Sequence, residues 1–128
     1  MGDDERMIRI KRVYVPAEAS DGARFLVDRL WPRGVRKEAL ALRAWLKDAA
    51  PSTPLRQWYH SHLEEWPAFR RRYLTELEAD PEAWKPLLEE ARQGTVTLLY
   101  SSRDSERNHA LVLKNLLDQR LGEERDAK

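Results

Sequence analysis

The sequence predicts an α/β fold, a small, partly parallel sheet layered with helices in a single domain, and three observations carry that reading. The chain has 128 residues, the size of one ordinary domain. Segments 7–15, 23–31 and 95–102 are rich in β-formers. The second and third are separated by a long helical stretch, the crossover that a parallel strand pair requires.

"MIRIKRVYV" alternates Ile8, Ile10, Val13 and Val15 with basic residues and slips one position near Arg12, as a strand with one wet face would. "PAEASDG" is a turn cluster. "ARFLVDRLW" is more apolar, reads as a more central strand, and is ended by Pro32 and Gly34. The first thirty-odd residues therefore resemble two strands joined by a loop. Residues 36–50 carry Leu40, Trp45, Leu46 and Ala49 in a loose helical pattern, with an extended end before Pro51 as the alternative. Ser52 or Thr53 caps the next helix, with Pro54 in its first turn.

Trp66, Phe69, Tyr73 and Leu77 form the apolar stripe of a further helix. Asp80 caps "PEAWKPLLEEARQG", Gly94 stops it, and Pro86 predicts a kink or break inside it. "TVTLLYSS" is the clearest strand. It leads through "RDSERN" into a last helix whose apolar face holds Val112, Leu113, Leu116 and Leu117. Three strands make a small sheet, so a fourth is expected within residues 40–48. The domain is expected to span 7–121, with a disordered extension at 1–6 and a fraying charged tail at 122–128.

Charged residues make up 35% of the chain against a typical ~25%. The 23 basic and 22 acidic side chains nearly cancel. Such a balance fits salt-bridged, solvated helix surfaces and gives no bulk attraction for nucleic acid. With no Cys, disulfides, zinc-thiolate sites and Cys nucleophiles are excluded. No apolar run approaches the roughly 18 residues of a membrane helix, and the acidic opening "MGDDERM" is unlike a signal peptide. A cytoplasmic location is the expectation.

Ligands of parallel α/β sheets sit outside the carboxyl ends of the strands. One strand ends here at Asp28, Arg29, Trp31 and Arg33, and another at Tyr100, Ser101, Ser102 and Asp104. If the two are neighbours, their ends share a crevice. The start of the last helix, between Asp104 and Asn108, favours an anion, and Arg29 or Arg33 can grip phosphate or carboxylate bidentately. Two bland readings stand beside this. Asp104 or Ser105 can be a plain helix cap, and Asp28 can pair structurally with a basic residue from another element.

"KDAAPSTPLR" adds Lys47, Ser52 and Arg56 as candidate binding residues, Ser52 reading as a cap and not a nucleophile. His60 and His62 point to different helix faces, and His109 reads as a surface group, so no zinc site is expected. Magnesium on Asp28 and Asp104 has thin support, and no cofactor is expected. The five tryptophans read as core and rim packing, with Trp31 and Trp58 as the two that could stack on a ring. The arginines of "FRRRY" fan around their helix as a solvated face.

"VDRLWPRG", "WLKDAAPST", "LRQWY", "AFRRRY" and "TLLYSSRD" followed by Asn108, Ala110 and "VLK" occur in the order found in one family. Over residues 7–121 the chain resembles the YeaO-like branch of domain-of-unknown-function family 488. The resemblance implies a small α/β domain. Part of the wider family is similar to enzymes acting in nucleic-acid-related systems, whereas this branch is regarded as inactive. It marks Asp28, Arg29, Trp31, Pro32, Arg33 and Gly34 as one motif and Lys47, Pro51 and Ser52 as another. Arg56, Trp58, Tyr73, Tyr100, Asp104 and Asn108 complete the set. Many relatives carry a histidine just before the Asn108 position, where this chain has Arg107, and that tilts the expectation toward binding.

The leading expectation is a module that binds a phosphate-bearing small molecule or nucleotide at the strand ends. Arg29, Trp31, Arg33, Lys47, Ser52, Arg56, Tyr100 and Asn108 would hold the ligand. The alternatives are a structural or partner-binding protein with no ligand, and an enzyme on a nucleotide or nucleic-acid substrate with Asp28 or Asp104 as general base. Nucleic-acid binding is not favoured, because the net charge is near neutral, and the oligomeric state is open.

Overall fold

The computed structural model describes residues 7–126, so the expected extension at 1–6 lies outside the described residues. In chain order the elements are β1 (Ile8–Arg12), β2 (Ala23–Leu26), α1 (Lys37–Leu40), β3 (Ala44–Trp45), α2 (Thr53–His60), α3 (Trp66–Ala79), α4 (Lys85–Gln93), β4 (Val96–Tyr100) and α5 (His109–Asp126). The four strands form one sheet in the order β1-β4-β2-β3, and every pairing is parallel.

The fold is α/β, as the residue pattern predicts. The fourth strand is where it was expected, as the two-residue β3. The rest of 36–50 departs from a helix. Only Lys37–Leu40 is helical, and Ala41 ends it in the left-handed region at φ 48°. The first two strands do not pair with each other; β4 lies between them. All five residues of β4 are buried, which suits a central parallel strand covered on both faces.

Strand alternation divides the core. Ile8, Phe25, Val27, Val96, Leu98 and Tyr100 face the large helical layer, where Phe69, Tyr73, Leu87, Leu113 and Leu117 are buried. Leu26 and Leu99 face the other way and pack with Val13 and Leu40 under half-buried Trp31 and Trp45. The slip in β1 is the end of the strand: Val13 lies beyond Arg12 and joins the second cluster. Pro86 sits in the first turn of α4, and the break falls just before it at Trp84. Asp80 makes no capping hydrogen bond to the short 3-10 turn that follows it. α5 continues through 122–126, which the sequence assigns to a tail. No described helix is long and apolar enough to cross a membrane.

The connection from β1 to β2 is held down by charge. Asp21 is fully buried. Its carboxylate receives the Lys11 ammonium at 2.8 Å, the Glu18 amide at 3.0 Å and the Arg24 guanidinium at 2.5 Å. Its carbonyl accepts the Thr97 hydroxyl of β4 at 2.7 Å, and Arg24 Nε donates to Leu40 at the end of α1. One acid therefore ties three strands to the loop that crosses them. Gly22, next in the chain, has φ 65°, and a Cβ there would lie 2.2 Å from the Thr95 carbonyl oxygen.

Burial alone would push the Asp21 carboxyl up, but Lys11, the Glu18 amide and Arg24 together bring it from 3.8 down to about 2. The resulting stabilisation is present in full above 3.8 and is lost as pH falls through about 2. Wild type is therefore expected to lose on the order of 1–2 kcal/mol more than Asp21→Asn when urea unfolding is followed from pH 5 to pH 2. Gly22→Ala is expected to cost roughly 1–3 kcal/mol in the same assay at pH 7, because the turn needs both a positive φ and room beside Thr95.

Candidate functional site

At the carboxyl edge of the sheet, β2 and β4 end side by side, and Asp28 joins them. Its Oδ2 accepts hydrogen bonds from the Ser101 amide at 3.0 Å and the Ser101 hydroxyl at 2.5 Å. Its backbone carbonyl accepts Trp45 Nε1 from β3 at 2.7 Å. Its Oδ1 lies 3.1 Å from His109 Nε2, at the start of α5. That imidazole N–H points at the Val27 carbonyl oxygen, 2.9 Å away, so Oδ1 has the ring beside it but no aligned hydrogen bond. The two strand ends are thus neighbours, but Asp28 bolts the gap between them. His109 is not the surface group its sequence position suggests: its side chain is 14% exposed and meets Tyr73 edge-on.

The loop from β4 to α5 uses its polar groups internally. Asp104 Oδ1 accepts the amides of Glu106 and Arg107, both at 2.9 Å, and these bonds hold the carboxyl below its ordinary value. Asn108 Oδ1 accepts the Leu111 amide and its Nδ2 donates to the Asp104 carbonyl. Asn108 is therefore the cap of α5, in place of Asp104 or Ser105, and the helix end expected to receive an anion is already engaged. Arg12, not singled out by the sequence, clasps the Ser101 and Ser102 carbonyls from the end of β1.

Arg29 leaves the strand in the other direction. Its Nη2 donates to the Ala50 carbonyl at 3.1 Å and its Nε to the Pro51 carbonyl at 3.3 Å. Its Nη1 is 3.6 Å from Asp48 Oδ1, beyond hydrogen-bond reach. Arg29 lines a cleft of about 330 Å³ whose polar lining is completed by Asp48, Ser52, Glu76 and Asp80. Tyr73, Leu77 and three alanines supply the rest. Ser52 caps α2 through the Leu55 amide, as its sequence context suggests. It is also tied to Glu76 on α3 by its own amide at 2.8 Å and its hydroxyl at 2.5 Å.

Of the expected binding residues, only Arg29 and Ser52 line this cleft, and Arg29, Arg33 and Asn108 do not converge. Arg33 is exposed, and its carbonyl accepts the Tyr14 hydroxyl. Trp31 packs in the smaller core with its indole N–H on Val35. Lys47 lies 4.2 Å over the Trp45 ring. Arg56 sits on α2 with its Nε buried and unpartnered, and Tyr100 is in the main core, where burial raises its phenol. Trp58 is occupied by His62 stacked at 4.8 Å and by Arg72 at 4.1 Å. Among the described residues, no three His, Cys, Asp or Glu side chains group as a metal site.

Residues 7–128 match the family described as the inactive DUF488-N3 subclade. The chain belongs to that family. Similar relatives within reach of this DUF488 protein include "Uncharacterized protein YeaO" of Escherichia coli K12, 49% identical over 110 residues, or 86% of this chain and 96% of that one. "Uncharacterized protein Rv3073c" of Mycobacterium tuberculosis H37Rv is 41% identical over 116 residues, or 91% of this chain and 98% of that one. "Uncharacterized protein Mb3100c" of Mycobacterium bovis is similar to the same extent. No solved structure matches.

The Asp28 bridge is expected to matter to stability first. Asp28→Ala removes the oxygen that accepts both Ser101 donors and is expected to cost about 2–4 kcal/mol by urea denaturation. Asp28→Asn keeps one acceptor for the amide and is expected to lose about half as much. Equal midpoints for wild type and Asp28→Ala would contradict the bridging role.

Proposed function

We propose that this DUF488 protein is a binding module without turnover that holds a small oxyanion-bearing molecule, a phosphate monoester foremost, beside Arg29. The carrying observation is the way Arg29 is fixed. Two backbone carbonyls hold one side of the guanidinium, while Arg29 lines the cleft and its Nη1 makes no hydrogen bond among the described residues, having only the exposed Asp48 carboxylate at 3.6 Å. An arginine anchored in this way loses little side-chain freedom when it binds, and its planar fork suits phosphate or carboxylate.

The cleft is near the small end of ligand pockets, roughly 300–1,000 Å³. Neither Trp31 nor Trp58 lines it, so a compact phosphate ester suits it better than a nucleotide that needs a stacking partner. Binding is favoured over catalysis because Asp28 Oδ2 and Asp104 Oδ1 each accept two hydrogen bonds within the protein, which fixes both carboxylates in structural roles. The description of the family as inactive agrees with that preference.

Thermal unfolding with ethyl phosphate tests the reading. At ten times its Kd the ligand is expected to add about 1.4 kcal/mol, a rise of roughly 3–6 °C for a domain of this size. Arg29→Lys, which retains charge but loses the fork, is expected to remove most of that rise, and Arg33→Ala to leave it unchanged. A rise that survives Arg29→Lys, or none with any oxyanion at tens of millimolar, overturns the proposal.

A further inference from the structure

The charges around Arg29 narrow the ligand class. Beside one guanidinium, the cleft carries the carboxylates of Asp48, Glu76 and Asp80. Glu76 is engaged through both oxygens by Ser52. Asp48 is 82% exposed at its side chain and stands 3.6 Å from Arg29. Asp80 is exposed and forms no ion pair among the described residues. A ligand that is only an anion would gain one charge-assisted contact and meet the repulsion of the surrounding carboxylates. A ligand that is only a cation would leave the anchored guanidinium unused.

Resting on the binding reading above, we propose that the cleft takes a small zwitterion, with an oxyanion for Arg29 and an ammonium a few bonds away for Asp48 and Asp80. The geometry suits short molecules. Leu77, Ala79 and Ala83 give the cleft an apolar wall of mostly small side chains, able to take a chain of two or three methylenes. The oxyanion can be a phosphate, as in an amino-alcohol phosphate, or a carboxylate, as in a short amino acid. The guanidinium fork accepts either. The two carboxylates supply the discrimination: they add affinity for an ammonium-bearing ligand and repel its amine-free, purely anionic analogue, so specificity comes from repulsion as much as attraction.

Calorimetric titration of the full chain with four matched probes decides this. O-phosphoethanolamine and ethyl phosphate share a phosphate and differ by the amine; β-alanine and propionate do the same for a carboxylate. The expected result is at least tenfold tighter binding of one amine-bearing member than of its partner. The better of the two amines identifies the oxyanion. In the double variant Asp48→Asn, Asp80→Asn, that preference is expected to fall below threefold while ethyl phosphate binds as well or better. Both aspartates are exposed, so the variant is expected to fold, and far-ultraviolet circular dichroism checks it. Equal or tighter binding of ethyl phosphate and propionate overturns the zwitterion and leaves the oxyanion module standing. Failure of all four probes overturns both. A preference for amines that persists in the double variant overturns the role of the two aspartates.

Discussion

The structure depends on one carboxylate at the carboxyl edge of the sheet. Asp28 takes the Ser101 amide and hydroxyl on one oxygen and sets the other beside His109. It thereby joins the ends of two adjacent strands and the first residue of the helix that leaves the second. Parallel strands have no hairpin to hold their ends together, so that edge must be closed by side chains. Closing it has a directional effect as well. With Asp28 turned toward β4 and α5, the next residue projects toward 48–52, and Arg29 reaches the carbonyls that anchor it.

The opposite end of the strands is closed by charge. Asp21 gathers Lys11, Arg24 and the Glu18 amide beneath the crossing loop. A buried acid with several donors costs solvation when it is made and far more when one member is removed. Such a cluster specifies the path of the loop more than it adds net stability. The near-zero net charge of the chain hides this arrangement, because the composition counts these residues as surface.

Most of the architecture is legible in the sequence because hydrophobic periodicity reports burial directly. β4 stands out as a run with no charge, and α3 as a stripe at helical spacing. The failures have physical causes. Residues 36–50 have helix-forming composition, yet the edge of the sheet draws Ala44 and Trp45 into pairing with β2, and tertiary contacts override local preference. Two neighbouring cations, Arg29 and Arg33, look equivalent in a motif, but the bend at Pro32 and Gly34 sends them to different surroundings. Glu76 lies 24 positions from the serine it holds, with no local signal to connect them. The position of His109 is legible in principle. As the first residue of a helix leaving a central strand, it had to lie over the strand ends.

The strand order has a consequence for how the chain assembles. β1 and β2 are the first two strands made, yet neither hydrogen-bonds the other; β2 has the two-residue β3 on its outer edge, and the two are joined only through β4, some seventy residues later. Until that segment emerges, the early strands present open edges, and the loop-closure entropy of a distant contact must be met before any central pairing forms. The last strand of the chain therefore completes the sheet from within, as a wedge between two that precede it.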